Sequence, residues 1–175
     1  MRGFARVSRR EQGYDTDQVD EFFTRARDVD GGVTESDVRE VAFDLVAAGY
    51  DPEQVDLALD RLEESHTRRR RHEAMASGGP DAWRAHVAEL EETLRPRLER
   101  PAKQRFVRPG TTGYSASSVD SFLGRVSDAL DGTDDLTADE VRAVTFPPAQ
   151  GRGAYAEGVV DAYLDRVVEV LLARA

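Results

Sequence analysis

Four tyrosines in this chain are each followed, at fixed distances, by a carboxylate and a guanidinium. Tyr14, Tyr50, Tyr114 and Tyr155 have an aspartate six residues on, at Asp20, Asp56, Asp120 and Asp161, and an arginine eleven on, at Arg25, Arg61, Arg125 and Arg166. Between those columns stand Val19, Val55, Val119 and Val160, then Phe23, Leu59, Leu123 and Leu164. Gly13, Gly49 and Gly113 directly precede three of the tyrosines, while the fourth copy reads Gly153-Ala154-Tyr155. Such a set could hydrogen-bond, pair charges or hold an anion. The aspartate and arginine of one copy stand five apart, so they do not meet along a helix, where partners lie three or four apart. Fourfold repetition favours structure over four identical sites, and the predicted role of both columns is a bond to a neighbouring helix or a connector carbonyl. The glycines predict a tight helix entry at positive φ, and the tyrosines predict rings packed on the helix they precede.

Other chemistry finds little support. His66 and His72 stand six apart, a poor match to the i, i+4 spacing of helical metal ligands, and the third histidine, His86, is remote in sequence. GRGAY at 151–155 lacks the lysine and preceding strand of a phosphate loop. Serines are not set in a nucleophile elbow, and the absence of cysteine removes thiolate chemistry. The expectation is therefore a protein that is not an enzyme, with no catalytic residues, cofactor or metal. A formal net charge of −10 argues against general binding to nucleic acid or anionic lipid. Arg68, Arg69, Arg70 and Arg71 form the one concentrated basic run. Such runs are usually solvated, and a patch for an anionic partner is the alternative reading.

The elements that must carry the columns are amphipathic helices. Asp15 with Gln18, Asp51 followed by Pro52, and Ser115 supply cap signals, while Ala156 supplies none. After them come stripes such as Val119, Phe122, Leu123, Val126 and Leu130, at the i, i+3, i+4, i+7 spacing of one buried face. VTESDVREVAF at 33–43 and LTADEVRAVTF at 136–146 predict short helices, each opened by a capping box, Thr34 with Asp37 and Thr137 with Glu140. Tyr114 follows Tyr14 by 100 residues and Phe146 follows Phe43 by 103, so a pair of copies is duplicated. Gly78-Gly79-Pro80 predicts a break, and Trp83, Val87, Leu90, Leu94 and Leu98 predict a unique bracing helix. The fold expected is all-α: tandem duplicated helical repeats (short helix, connector, longer amphipathic helix) around a central unique helix. Its divisions are 1–64 and 106–175, the two pairs of repeats, and 65–105, the basic segment with the bracing helix.

The repeated text GYDTDQVDEFFTR, GYDPEQVDLALDR and LTADEVRAVTF resembles the N-terminal domain of DivIVA-type bacterial cell-division and polarity proteins. The arrangement is similar to that of small actinobacterial proteins with several DivIVA-like repeats, and the resemblance covers both halves but omits 65–105. It implies a role in division or polar growth and a link to the inner face of the membrane. The family's membrane-inserting phenylalanine, three residues before the tyrosine, is replaced here by Glu11, Ala47, Thr111 and Arg152. The arginine after it is replaced by Gln12, Ala48, Thr112 and Gly153. A phenylalanine earlier in the motif is kept as Phe43, with Phe4, Phe106 and Phe146 as approximate counterparts, and is expected in the core. The function expected is a non-catalytic, cytoplasmic protein–protein interaction module with an unidentified protein partner. A peripheral protein recognising anionic or curved membrane is the alternative. Pairing of the two halves within one chain, as a pseudo-dimer, is expected over a homodimer.

Overall fold

The computed structural model describes residues 3–27 and 32–175. The contacts divide the chain into two compact units, Met1–Arg69 and Arg70–Ala175. The all-α expectation is corrected: besides the helices there are, among the described residues, five short strands in two antiparallel sheets. These strands are two to four residues long. That is too short for an alternation of period two to show in sequence. They exist because segments distant in the chain pair with one another.

In the first unit, β1 (Gln12–Tyr14) leads into α1 (Thr16–Arg25), and α2 (Glu35–Glu40) is followed by β2 (Leu45–Ala47) and the start of α3 (Pro52–Leu98). Asp15 caps α1, accepting from the amides of Asp17 and Gln18 at 2.9 and 3.1 Å. The Gln18 side chain does not complete a capping box. It donates to the Asp44 carboxylate and accepts from the Asp44 amide, at 2.7 and 2.9 Å, and so holds the connector against α1. Thr34 and Asp37 do form the capping box that opens α2. β1 runs antiparallel to β2 with Gly13 opposite Val46, and Tyr14 also bridges Tyr50. Val19, Tyr50 and Val55 make the core, with Phe4, Tyr14, Phe23, Phe43 and Leu59 packed on it.

In the second unit, β3 (Thr112–Ser115) precedes α4 (Ala116–Leu130). Then come α5 (Ala138–Arg142), β4 (Pro148–Gln150), a 3-10 turn (Gly151–Gly153), β5 (Ala154–Tyr155) and α6 (Glu157–Arg174). Gly113 stands opposite Ala149 and Tyr114 opposite Tyr155, the counterparts of the pairings around Gly13 and Tyr14. Thr137 and Glu140 form the capping box of α5. Pro148 is tolerated because β4 lies at the edge of the sheet. The core is larger and includes Leu123, Val126, Val160, Val167 and Val170.

The break expected at Gly78-Gly79-Pro80 is present, as a kink between two helical stretches rather than a loop. Helix α3 carries on through it, with a single non-helical residue, Gly79, at φ 72° and ψ −173°. Pro80 then restarts the helix as a proline can at a first turn. Beyond the kink, Trp83, Leu90 and Leu94 are buried in the core of the second unit. The Trp83 indole donates to the Ala173 carbonyl at 3.2 Å, and the Tyr163 hydroxyl donates to the Leu94 carbonyl at 3.0 Å.

Candidate functional site

The tyrosine and aspartate columns meet, but never within one copy. The Tyr50 hydroxyl donates to the Asp20 carboxylate, at 3.1 and 3.3 Å to its two oxygens. Tyr14 lies beside Asp56, which adds to the rise of its hydroxyl pKa. In the second unit Tyr155 donates to Asp120 at 3.0 Å, and Tyr114 lies beside Asp161. Each unit is thus clasped by a crossed bond from its later tyrosine to the helix after its earlier one, with the reciprocal tyrosine and aspartate set side by side. Burial raises all four hydroxyls above the ordinary tyrosine pKa, with the aspartate partner adding to it. Sequence spacing could not show the crossing, because the partners lie 30 to 47 residues apart. The signal that could have found it is the equal number of buried phenols needing acceptors and early-helix carboxylates able to accept.

The glycines serve close approach of two backbones, which corrects the positive φ expected of them. The amide of Tyr14 donates to the Tyr50 carbonyl and the amide of Tyr50 to the Tyr14 carbonyl, both at 2.8 Å. A Cβ on Gly13 would lie 2.3 Å from the Tyr50 carbonyl oxygen, and one on Gly49 2.5 Å from the carbonyl oxygens of Gly13 and Tyr14. A Cβ on Gly113 would lie 2.0 Å from the Tyr155 carbonyl oxygen. Gly153 meets nothing within 4 Å, and Ala154, with a real Cβ, takes the place next to Tyr155.

Phenylalanines finish the clasp. Phe43 lies 5.5 Å from the Tyr14 ring and Phe146 5.4 Å from the Tyr114 ring, centroid to centroid. Phe4 sits 5.5 Å from Tyr50, and Phe106 sits 5.2 Å from Tyr155. The valine column, Val19, Val55, Val119 and Val160, is fully buried beneath.

The arginine column shares no such common role. Arg25 lies over the Phe22 ring at 5.8 Å. Arg125 pairs with Asp134 at 3.1 Å and Glu140 at 3.2 Å, tying α4 to the approach and first turn of α5. Arg166 pairs with the buried Glu169 at 2.6 Å. Arg61 is exposed. The basic run is split as well: Arg68, Arg69 and Arg71 are exposed on α3, while Arg70 reaches Glu169 at 3.6 Å.

Two concave surfaces remain as candidates for recognition. One, of about 530 Å³, lies in the second unit among Ser117, Ser118, Ser121, Phe122, Arg125 and Phe146. Its lining has hydroxyls but no histidine or carboxylate to act as a general base. The other, about 1000 Å³, is a groove of the first unit between α1 and the start of α3, built by Phe4, Phe23, Ala26, Leu57, Ala58 and Leu62. Arg27, Arg61, Asp20 and Gln54 supply its polar lining. Leu57 in it is 48% exposed, a large apolar side chain left in water.

Among the described residues, no group of three or more histidine, cysteine, aspartate or glutamate side chains could hold a metal ion. Among the same residues, no helix is long and apolar enough to cross a membrane. No known family, curated protein or solved structure matches the chain.

Proposed function

We propose that the protein is a non-catalytic protein–protein interaction module of DivIVA-like type, serving bacterial cell division or polar growth. The observation that carries the interaction role is the apolar groove of the first unit, with Leu57 presented to solvent. A protein that keeps a large apolar side chain in an open groove has a binding surface there. The link to division rests on the repeated motif alone. The Tyr–Asp bonds serve as framework, although Asp20 and Tyr50 also border the groove.

The test places a photo-reactive benzoylphenylalanine at position 57 of the full chain in the cells that make it. A discrete protein adduct that disappears when Ala58 is changed to Arg is the expected result. No adduct from position 57 would refute the reading.

A second reading, peripheral attachment to anionic membrane, is favoured by the exposure of Arg68, Arg69 and Arg71 on one helix. Co-sedimentation with phosphatidylglycerol vesicles separates the two. The interaction module stays in the supernatant at low salt. Sedimentation that is lost in high salt and on changing the exposed arginines to alanine would establish the membrane reading instead.

A further inference from the structure

The open groove of the first unit has a counterpart in the second, and that counterpart is filled. The columns of the sequence align Phe23 with Leu123, Ala26 with Val126, Ala58 with Tyr163 and Leu62 with Val167, and Phe4 and Phe106 correspond in packing, each against the later tyrosine of its unit. The first member of each pair lines the groove. The second member in each case packs in the core that includes Trp83, Leu90 and Leu94 of residues 81–98. The contacts are specific. Tyr163 donates to the Leu94 carbonyl at 3.0 Å, and the Arg97 guanidinium lies 4.9 Å from the centre of the Phe106 ring. Glu91 on the flank of this helix meets Arg174 of α6 at 3.5 Å. Where the second unit has Tyr163 to meet a helix already present, the first has the much smaller Ala58 and a trough of about 1000 Å³.

We infer that the first unit's groove receives an amphipathic α-helix from a partner protein, of the same chemistry as residues 81–98. That helix carries an aromatic-and-leucine stripe spaced like Trp83, Val87, Leu90, Leu94 and Leu98, with a carboxylate on its flank. A stripe of that spacing covers one helix face and fits a groove between two helices. The flanking carboxylate meets Arg61 beside the groove, a cation at the groove's edge as Arg174 is for Glu91 in the second unit. The inference rests on the interaction reading given above and adds the kind of partner.

The probe is a fluorescein-labelled peptide of residues 81–98, titrated with the full-length protein and followed by anisotropy. Saturable one-to-one binding is expected. Leu57→Glu and Ala58→Arg in the protein, or Leu90→Asp with Leu94→Asp in the peptide, each weaken it by about tenfold or more, as central apolar contacts of an interface do. Circular dichroism of the protein variants checks that they remain folded. Binding that is absent, or that is indifferent to Leu57→Glu, overturns the inference. So does light scattering that reports a dimer abolished by Leu57→Glu and undisturbed by the peptide, since the occupant would then be a second copy. A photo-adduct from position 57 with no peptide binding sinks the helix and leaves the interaction module standing.

Discussion

At the scale of single residues, the glycines and tyrosines that the sequence repeats are the hinge pins of the fold. Gly13→Ala and Gly113→Ala drive a methyl carbon to 2.3 and 2.0 Å from carbonyl oxygens that belong to backbone and cannot swing away. We expect each to lower stability by about 2–4 kcal/mol, read from the urea midpoint, as overpacking at a rigid contact does. Gly153→Ala, with open space around it, should change little. The crossed bonds make a second expectation, because a phenol donating to a carboxylate cannot lose its proton without placing two negative charges in contact. The Tyr50 and Tyr155 hydroxyls are raised above the ordinary value of 10.0. Their contribution is therefore complete below about pH 10 and is lost as pH climbs through the higher folded value. Tyr50→Phe and Tyr155→Phe should each cost about 1.5–3 kcal/mol at neutral pH, the worth of a hydrogen bond to a charged group. They should also flatten the alkaline fall of the wild-type midpoint, and an alkaline limb unchanged in both variants would show the bonds to be irrelevant. That these residues matter was legible in the repeated columns. That they clasp across copies was not, because helical spacing speaks only of neighbours on the same helix.

At the scale of elements, the caps were the most legible feature. Thr34 with Asp37 and Thr137 with Glu140 form their boxes where the sequence places them, since a capping box is settled within four residues. The sheets were illegible for the opposite reason. Leu45-Val46-Ala47 has no alternation to read, Leu45 being 54% exposed, and it is a strand only because Gln12, Gly13 and Tyr14 lie alongside. The break at Gly78-Gly79-Pro80 was legible, though its form was not. Its residues carry a true break signal, but Gly79 alone absorbs the break, at φ 72° and ψ −173°, and the helix resumes at once. That conformation belongs almost solely to glycine. Gly79→Ala should accordingly cost about 1–3 kcal/mol although its Cβ would meet nothing within 4 Å. A midpoint equal to wild type would mean that the kink is not kept in solution.

At the scale of the whole molecule, the sequence spelled out a doubling, and two compact units are what the chain forms, with their own sheets and cores. The allotment of residues 81–98 was not legible. Their stripe declares a buried face, but a stripe does not name the surface that buries it, and the core of the second unit takes it. We propose, from the duplication in the sequence alone, that one chain suffices without a second. We therefore expect light scattering to return the mass of one copy, 19.4 kDa. Twice that value, independent of the groove at Leu57, would show that halves pair between molecules.

The two crossings also differ in what they tolerate beside the tyrosine. Gly49 leaves no room for a methyl group, yet Ala154 holds the corresponding place in the second unit. From Ala47 to Tyr50 the first unit spends three steps, whereas from Gln150 to Tyr155 the second spends five, with the turn at Gly151–Gly153 as slack. The longer connector is what makes the alanine permissible. Shortening that loop is expected to turn a silent alanine into a lesion, because it would bring the Ala154 Cβ to the close approach that only glycine meets at Gly49.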